Sequence, residues 1–187
     1  MEVAAQRCGA EGFTLVEVLV AMFILAVGAV GAAATQSTVA RLREQAALES
    51  DAVQLAASLS ARMLANPAQM ALPDAANPYL QLDYDADGGA PDLPAVQCFG
   101  GAGCNAASLA EFDLYETARL VHEAFPGGRI AVCRDAAVWN PAMQAPDWEC
   151  VSSAQAPIVI KLGWRMHARQ GQPAAGAQAF VTMVVPG

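Results

Sequence analysis

Cations are scarce in this chain. Ten Lys and Arg residues stand against eighteen Asp and Glu, for a net charge of −8 and a pI near 4.6. Phosphate backbones are bound chiefly through Lys and Arg, so nucleic acid is not an expected partner. Histidine occurs only at His122 and His167, and neither lies near a cysteine in sequence. No Cys-x-x-Cys pair exists, so zinc-site spacing is missing. Nucleophile elbows, phosphate loops and paired metal histidines are also absent. The expectation is a protein without catalytic residues, a resident metal or a cofactor. Proline is missing from Phe13 to Asn66, so nothing in that span forces a helix to break.

Against these absences stands one long apolar run, from Gly12 to Ala34. A helix crossing a bilayer needs about 20 predominantly apolar residues, and this run is long enough. It holds a single carboxylate, Glu17, near its start. An acid within such a segment costs about 2.5–3.5 kcal/mol on insertion scales, which marks it as functional. A cut after Gly12 would free an amine at Phe13, about 6 Å of helical rise from Glu17. A plain signal anchor explains the length of the run but gives Glu17 no purpose. A conventional secretory signal could end at Ala32-Ala33-Ala34. Its basic n-region is lacking, because Glu2 and Glu11 accompany the single Arg7.

The residues Gly12-Phe13-Thr14-Leu15-Val16-Glu17 resemble the processing site of type IV prepilins. The resemblance implies that prepilin peptidase cuts between Gly12 and Phe13 and that Phe13 is N-methylated. It implies that the apolar segment is retained, and that Glu17 neutralises the N-terminal amine of a neighbouring subunit during filament assembly. The implied layout is a leader at residues 1–12, a transmembrane half-helix at 13–34, an amphipathic half-helix at 35–66 and a globular domain at 67–187. The fold class is α+β, with a long N-terminal helix packed on a small antiparallel sheet.

Of five cysteines, Cys8 lies in the leader, and Cys98, Cys104, Cys133 and Cys150 follow the apolar run. An even number in an exported domain reads as two disulfides. Three pairings are open; Cys98–Cys104 with Cys133–Cys150 is favoured because each bond closes a local loop. Beyond the apolar run, Val39, Leu42, Leu48, Ala52, Leu55, Leu59 and Met63 recur at helical spacing, and Asn66-Pro67 ends the pattern. One helix of roughly 80 Å is expected from Phe13 to Ala65. Residues 67–103 read as an irregular connection. Within it, Asp83, Asp85 and Asp87 precede Gly88 as in the start of a calcium loop, but Pro94 stands where the loop's last ligand belongs. A solvated acidic turn is the simpler reading.

Residues 107–125 read as a second helix, capped by Ser108 with Glu111, its inner face formed by Leu109, Phe112, Tyr115 or Glu116, Leu120 and Ala124. Pro126-Gly127-Gly128 ends it. Strands are expected at Arg129–Arg134, Trp148–Ser152, Pro157–Ala168 and Ala177–Val185, as an antiparallel meander. In the third strand Ile158, Ile160, Leu162, Trp164 and Met166 face inward, and Val159, Lys161, Arg165 and His167 face the other way.

The Cys98…Cys104 loop, Ala110-Glu111-Phe112-Asp113-Leu114, Pro126-Gly127-Gly128 and Trp164-Arg165 further resemble the PilV-type minor pilins. That resemblance implies a minor subunit of a type IV pilus that primes filament assembly, for adhesion and motility. The implied partners are other minor pilins and the major pilin, prepilin peptidase, the inner-membrane assembly platform and a tip adhesin. It implies a single-pass inner-membrane protein with a periplasmic domain that later reaches the cell surface. A type II secretion pseudopilin, sharing the same N-terminus, is the alternative; a secreted enzyme is a more distant one.

Overall fold

The proline-free stretch is helical throughout. In the computed structural model, which describes residues 14–100, 103–151, 153, 155–166 and 178–186, helix α1 runs Leu15–Ala65. It stops where Pro67 pushes Asn66 out of the helical region, at φ −116° and ψ 64°. The chain divides into two compact units, Met1–Glu44 and Gln45–Gly187. In the first, every described residue is exposed, and Leu15, Phe23, Leu25 and Val30 are each at least 70% exposed.

In the second unit α1 buries a stripe of Ala52, Ala56, Leu59 and Met63, spaced by four, three and four residues as one helix face requires. A short helix, α2 (Pro67–Met70), and 3-10 turns at Asp74–Ala76, Pro78–Gln81 and Ala86–Gly88 follow. Strand β1 (Asp83–Asp85) lies between the last two turns, and helix α3 spans Ala106–Ala124. Then come β2 (Arg129–Arg134), a small hairpin of β3 (Trp139–Asn140) and β4 (Ala145–Pro146), β5 (Ile158–Arg165) and β6 (Gln178–Val184). The main sheet is antiparallel, in the order β1-β2-β5-β6. Its register sets Ile130 opposite Leu162 and Val132 opposite Ile160. These four pack with the α1 stripe, Tyr79, Val121, Phe125 and Trp164 into one core. The unit is α+β, as expected.

The structure departs from the sequence reading in four places. Asp83-Tyr84-Asp85 is an edge strand paired to β2, not a free acidic turn. Its alternation exposes the two acids and turns Tyr84 toward the core; a short, charged edge strand resists pairing with other chains. Helix α3 begins at Asn105, whose side chain accepts the Ser108 N–H at 2.9 Å, so Ser108 sits at the third helical position and is not the cap. Its buried face is Ala110, Asp113, Thr117 and Val121, with Phe112 beside it, whereas Leu109 and Leu120 are exposed. Residues Trp148–Val151 form no strand. Cys150 is bonded to Cys133, and the carbonyls of Asp147 and Glu149 accept from Lys161 Nζ, so this backbone is committed to side chains. Finally, β5 is buried on both faces. Val159 and Lys161 are wholly buried alongside Ile160 and Leu162, because the segment from Asp135 to Ala156 covers the face read as polar. His167 and the turn expected at 169–176 lie outside the described residues.

Candidate functional site

The helix start is built by Thr14. Its carbonyl accepts the Glu17 N–H at 3.1 Å and the Val18 N–H at 3.3 Å, and its Oγ1 accepts the Glu17 N–H at 3.3 Å. Capping satisfies backbone donors that have no partner within the helix. The sequence Thr14-Leu15-Val16-Glu17 spells a capping box, a local signal that lies inside the apolar run. Glu17 sits at the third helical position, in the first turn, where the helix dipole favours negative charge. It is exposed and makes no ion pair among the described residues. Gly12 and Phe13 lie outside the described residues. Among the described residues α1 is the one helix long and apolar enough to cross a membrane, and its apolar stretch is exposed.

The remaining candidate residues lie in the second unit. Disulfides join Cys98 to Cys104 and Cys133 to Cys150, with Cα–Cα distances of 5.8 and 6.4 Å. The acids of the calcium-like stretch do not converge. Asp83 faces Arg129, with two hydrogen bonds at 3.0 and 3.1 Å. Asp85 accepts the Asp87 N–H at 2.9 Å, and Asp87 pairs with Arg165. Arg165 lies against Gly127, which has φ +53°; an added Cβ there would meet the guanidinium at 2.1 Å. Glycine therefore both permits this turn and leaves room for the Asp87–Arg165 pair. No group of three or more His, Cys, Asp or Glu among the described residues is placed to hold a metal ion.

Two buried polar clusters escaped the sequence reading. In one, Tyr79 Oη donates to Asp113 Oδ2 at 2.9 Å, and Arg62 Nη1 donates to Asp113 Oδ1 at 2.9 Å and to Glu116 Oε2 at 2.6 Å. Asn66 Nδ2 donates to the Ala106 carbonyl at 2.8 Å. These bonds tie the end of α1 to α3. Burial first, then the hydrogen bond and charge of Asp113, pushes the Tyr79 hydroxyl up to about 12.

The second cluster holds the chain's only lysine, Lys161. Its Nζ donates to the carbonyls of Asp147 and Glu149 at 2.7 and 2.8 Å and forms an ion pair with Asp135 Oδ2 at 2.6 Å. Both side chains are wholly buried. Asp135 Oδ1 accepts the N–H groups of Ala137 and Val151. Burial opposes the Asp135 charge, but Lys161 and these two N–H donors outweigh it and lower its pKa. Together with the Cys133–Cys150 bond, this cluster anchors the Asp135–Ala156 segment to the sheet.

The N-terminal sequence has a counterpart among known families. Residues 7–33 match the prokaryotic N-terminal methylation motif. The match supports a type IV pilin or pseudopilin protein. It spans Gly12, Phe13 and Glu17 and most of the apolar run. No curated protein and no solved structure matches the chain. A prepilin-type motif implies assembly with other pilins and processing by prepilin peptidase, and suggests a structural, non-enzymatic protein. With the apolar helix, it fits a protein anchored in the inner membrane and later taken into a filament.

Proposed function

We propose that this chain is a minor pilin of the PilV type. Prepilin peptidase removes residues 1–12, Phe13 becomes the N-methylated N-terminus, and Glu17 neutralises the amine of a neighbouring subunit in the filament. The disulfide-fastened domain then travels to the cell surface, for adhesion or motility, with other minor pilins, the major pilin and a tip adhesin as partners. The observation that carries this reading is the methylation motif set on a helix whose first half is exposed and whose second half is packed into a domain. A free-standing apolar helix face is stable only in lipid or among other helices, and a filament supplies the second. In that low-dielectric setting an unpaired amine is costly.

Replacing Glu17 with Ala tests the reading. Cleavage after Gly12 is expected to proceed, whereas recovery of the variant in sheared filaments falls about tenfold or more, since breaking one side of a buried charge pair costs several kcal/mol. Wild-type incorporation of the variant would contradict it.

A further inference from the structure

One ion pair differs in kind from the others. Arg119, Arg129, Arg134 and Arg165 pair with carboxylates that are at least 53% exposed, and Arg62 is itself 36% exposed. Lys161 and Asp135 are wholly buried. Their cation is also the one that chemistry can use. A guanidinium keeps its protons, whereas a buried ammonium can release one and become a nucleophile.

The geometry around Asp135 is that of an acyl acceptor. Oδ1 accepts the Ala137 N–H at 2.9 Å and the Val151 N–H at 3.1 Å. Two backbone donors at about 2.7–3.1 Å are what stabilises a developing oxyanion. Oδ2 is held by neither of them. It makes no aligned hydrogen bond among the described residues, yet Lys161 Nζ stands 2.6 Å from it. Adding a C–O length of about 1.2 Å puts Nζ less than about 4 Å from the Asp135 carboxyl carbon whatever the angle. Two of the Nζ protons are directed to the carbonyls of Asp147 and Glu149, so the third faces Asp135.

We propose that Lys161 and Asp135 condense into an intramolecular isopeptide bond once the domain has folded. A proton first passes from Nζ to Oδ2, which turns the ion pair into a neutral amine and a neutral acid, the form a dry site tolerates. The amine lone pair then attacks the carboxyl carbon. As the C–N bond forms, the carbonyl electron pair moves onto Oδ1, where the Ala137 and Val151 N–H groups receive the charge. When that pair returns, the bond to Oδ2 breaks. Oδ2 takes a second proton from nitrogen and leaves as water. One ammonium and one carboxylate thus become one amide and one water, with no oxidant or co-reactant. Fixing the two groups side by side supplies the rate, since effective molarities reach about 10⁵–10⁸ M in well-oriented pairs. The product ties the Asp135–Ala156 segment to β5 beside the Cys133–Cys150 bond, by a link that reductant does not open.

The sole lysine makes the test direct. The full chain is purified from membranes in detergent, incubated folded, then reduced, alkylated, denatured and treated with a lysine-specific endoprotease. That enzyme needs a free lysine side chain, so an unlinked chain is cut once, after Lys161. The wild type is expected to stay whole and to weigh one water less than its sequence. Cleavage after Arg134, Glu149 and Arg165 is expected to leave the 135–149 and 150–165 fragments joined. Asp135→Ala is expected to be cut and to show no mass deficit, a readout on denatured chain that does not depend on how well the variant folds. Wild-type chain cut at Lys161 and carrying its full sequence mass would overturn the proposal. So would a water deficit in which the 135–149 and 150–165 fragments come apart.

Discussion

The two halves of α1 have the same backbone and opposite surroundings. From Leu15 to Glu44 no residue is buried, although Leu, Val, Ile and Phe dominate its first half. From Gln45 to Ala65 the helix buries Ala52, Ala56, Leu59, Ser60 and Met63 and leaves charged residues such as Glu49 and Asp51 outside. The second half is amphipathic and satisfied within its own chain. Within the first half, the run from Val18 to Ala34 is apolar all round, which water does not tolerate and which lipid or neighbouring helices do. One continuous helix thus serves two solvents. The proposed minor-pilin role requires this, because the same segment must leave lipid and enter a filament.

The difference can be broken from either side. The largest effect is expected within the packed unit, at Lys161. Lys161→Met leaves Asp135 as an uncompensated buried charge, and the unit should lose about 3–5 kcal/mol. Denaturant unfolding in detergent measures this, and membrane attachment should not change. The converse insult is Ile24→Arg, in the middle of the apolar run. It should disfavour insertion by about 2.5–3.5 kcal/mol and leave the unfolding midpoint of the packed unit where it was; carbonate extraction and the same unfolding experiment read the two effects. Equal effects of either variant on both properties would mean that the halves are not separable.

A smaller effect sharpens the description of the packed half. The Tyr79 hydroxyl is pushed up to about 12 in the folded unit, from an ordinary value near 10. The folded state therefore holds its proton over a window in which the unfolded state releases it. This contribution is fully present below about pH 10 and is lost as pH rises toward about 12. Thermal unfolding between pH 8 and 12 should show an alkaline decline that Tyr79→Phe flattens. Tyr79→Phe itself should cost about 1–3 kcal/mol near neutral pH, since it removes two buried hydrogen bonds, one donated to Asp113 and one accepted from Asn66.

Legibility in the sequence follows the same divide. The apolar run, the stripe through Ala52, Leu59 and Met63 and the stop at Asn66-Pro67 depend on local periodicity and on proline geometry, and all could be read directly. What failed depended on tertiary partners. Asp113 and Thr117 look like surface residues until Arg62 and Tyr79 arrive from elsewhere in the chain, so the buried face of α3 was misassigned. The alternation of β5 separates two faces but cannot say that a distant segment covers the second one, Lys161 included. Asp83-Tyr84-Asp85 has the composition of a turn and becomes a strand only because β2 and Arg129 lie alongside. At the N-terminus the residue pattern itself carries the functional signal, which is why the motif match and the sequence reading fall on the same residues.

The central claim is that the apolar half of α1 is kept as the start of the mature protein. Mass spectrometry of the N-terminal peptide, on protein recovered from membranes and from sheared filaments of a strain with prepilin peptidase, tests it most directly. The account predicts a chain beginning at N-methylated Phe13 in both fractions. A chain beginning at Thr35, or one retaining Met1, would contradict it.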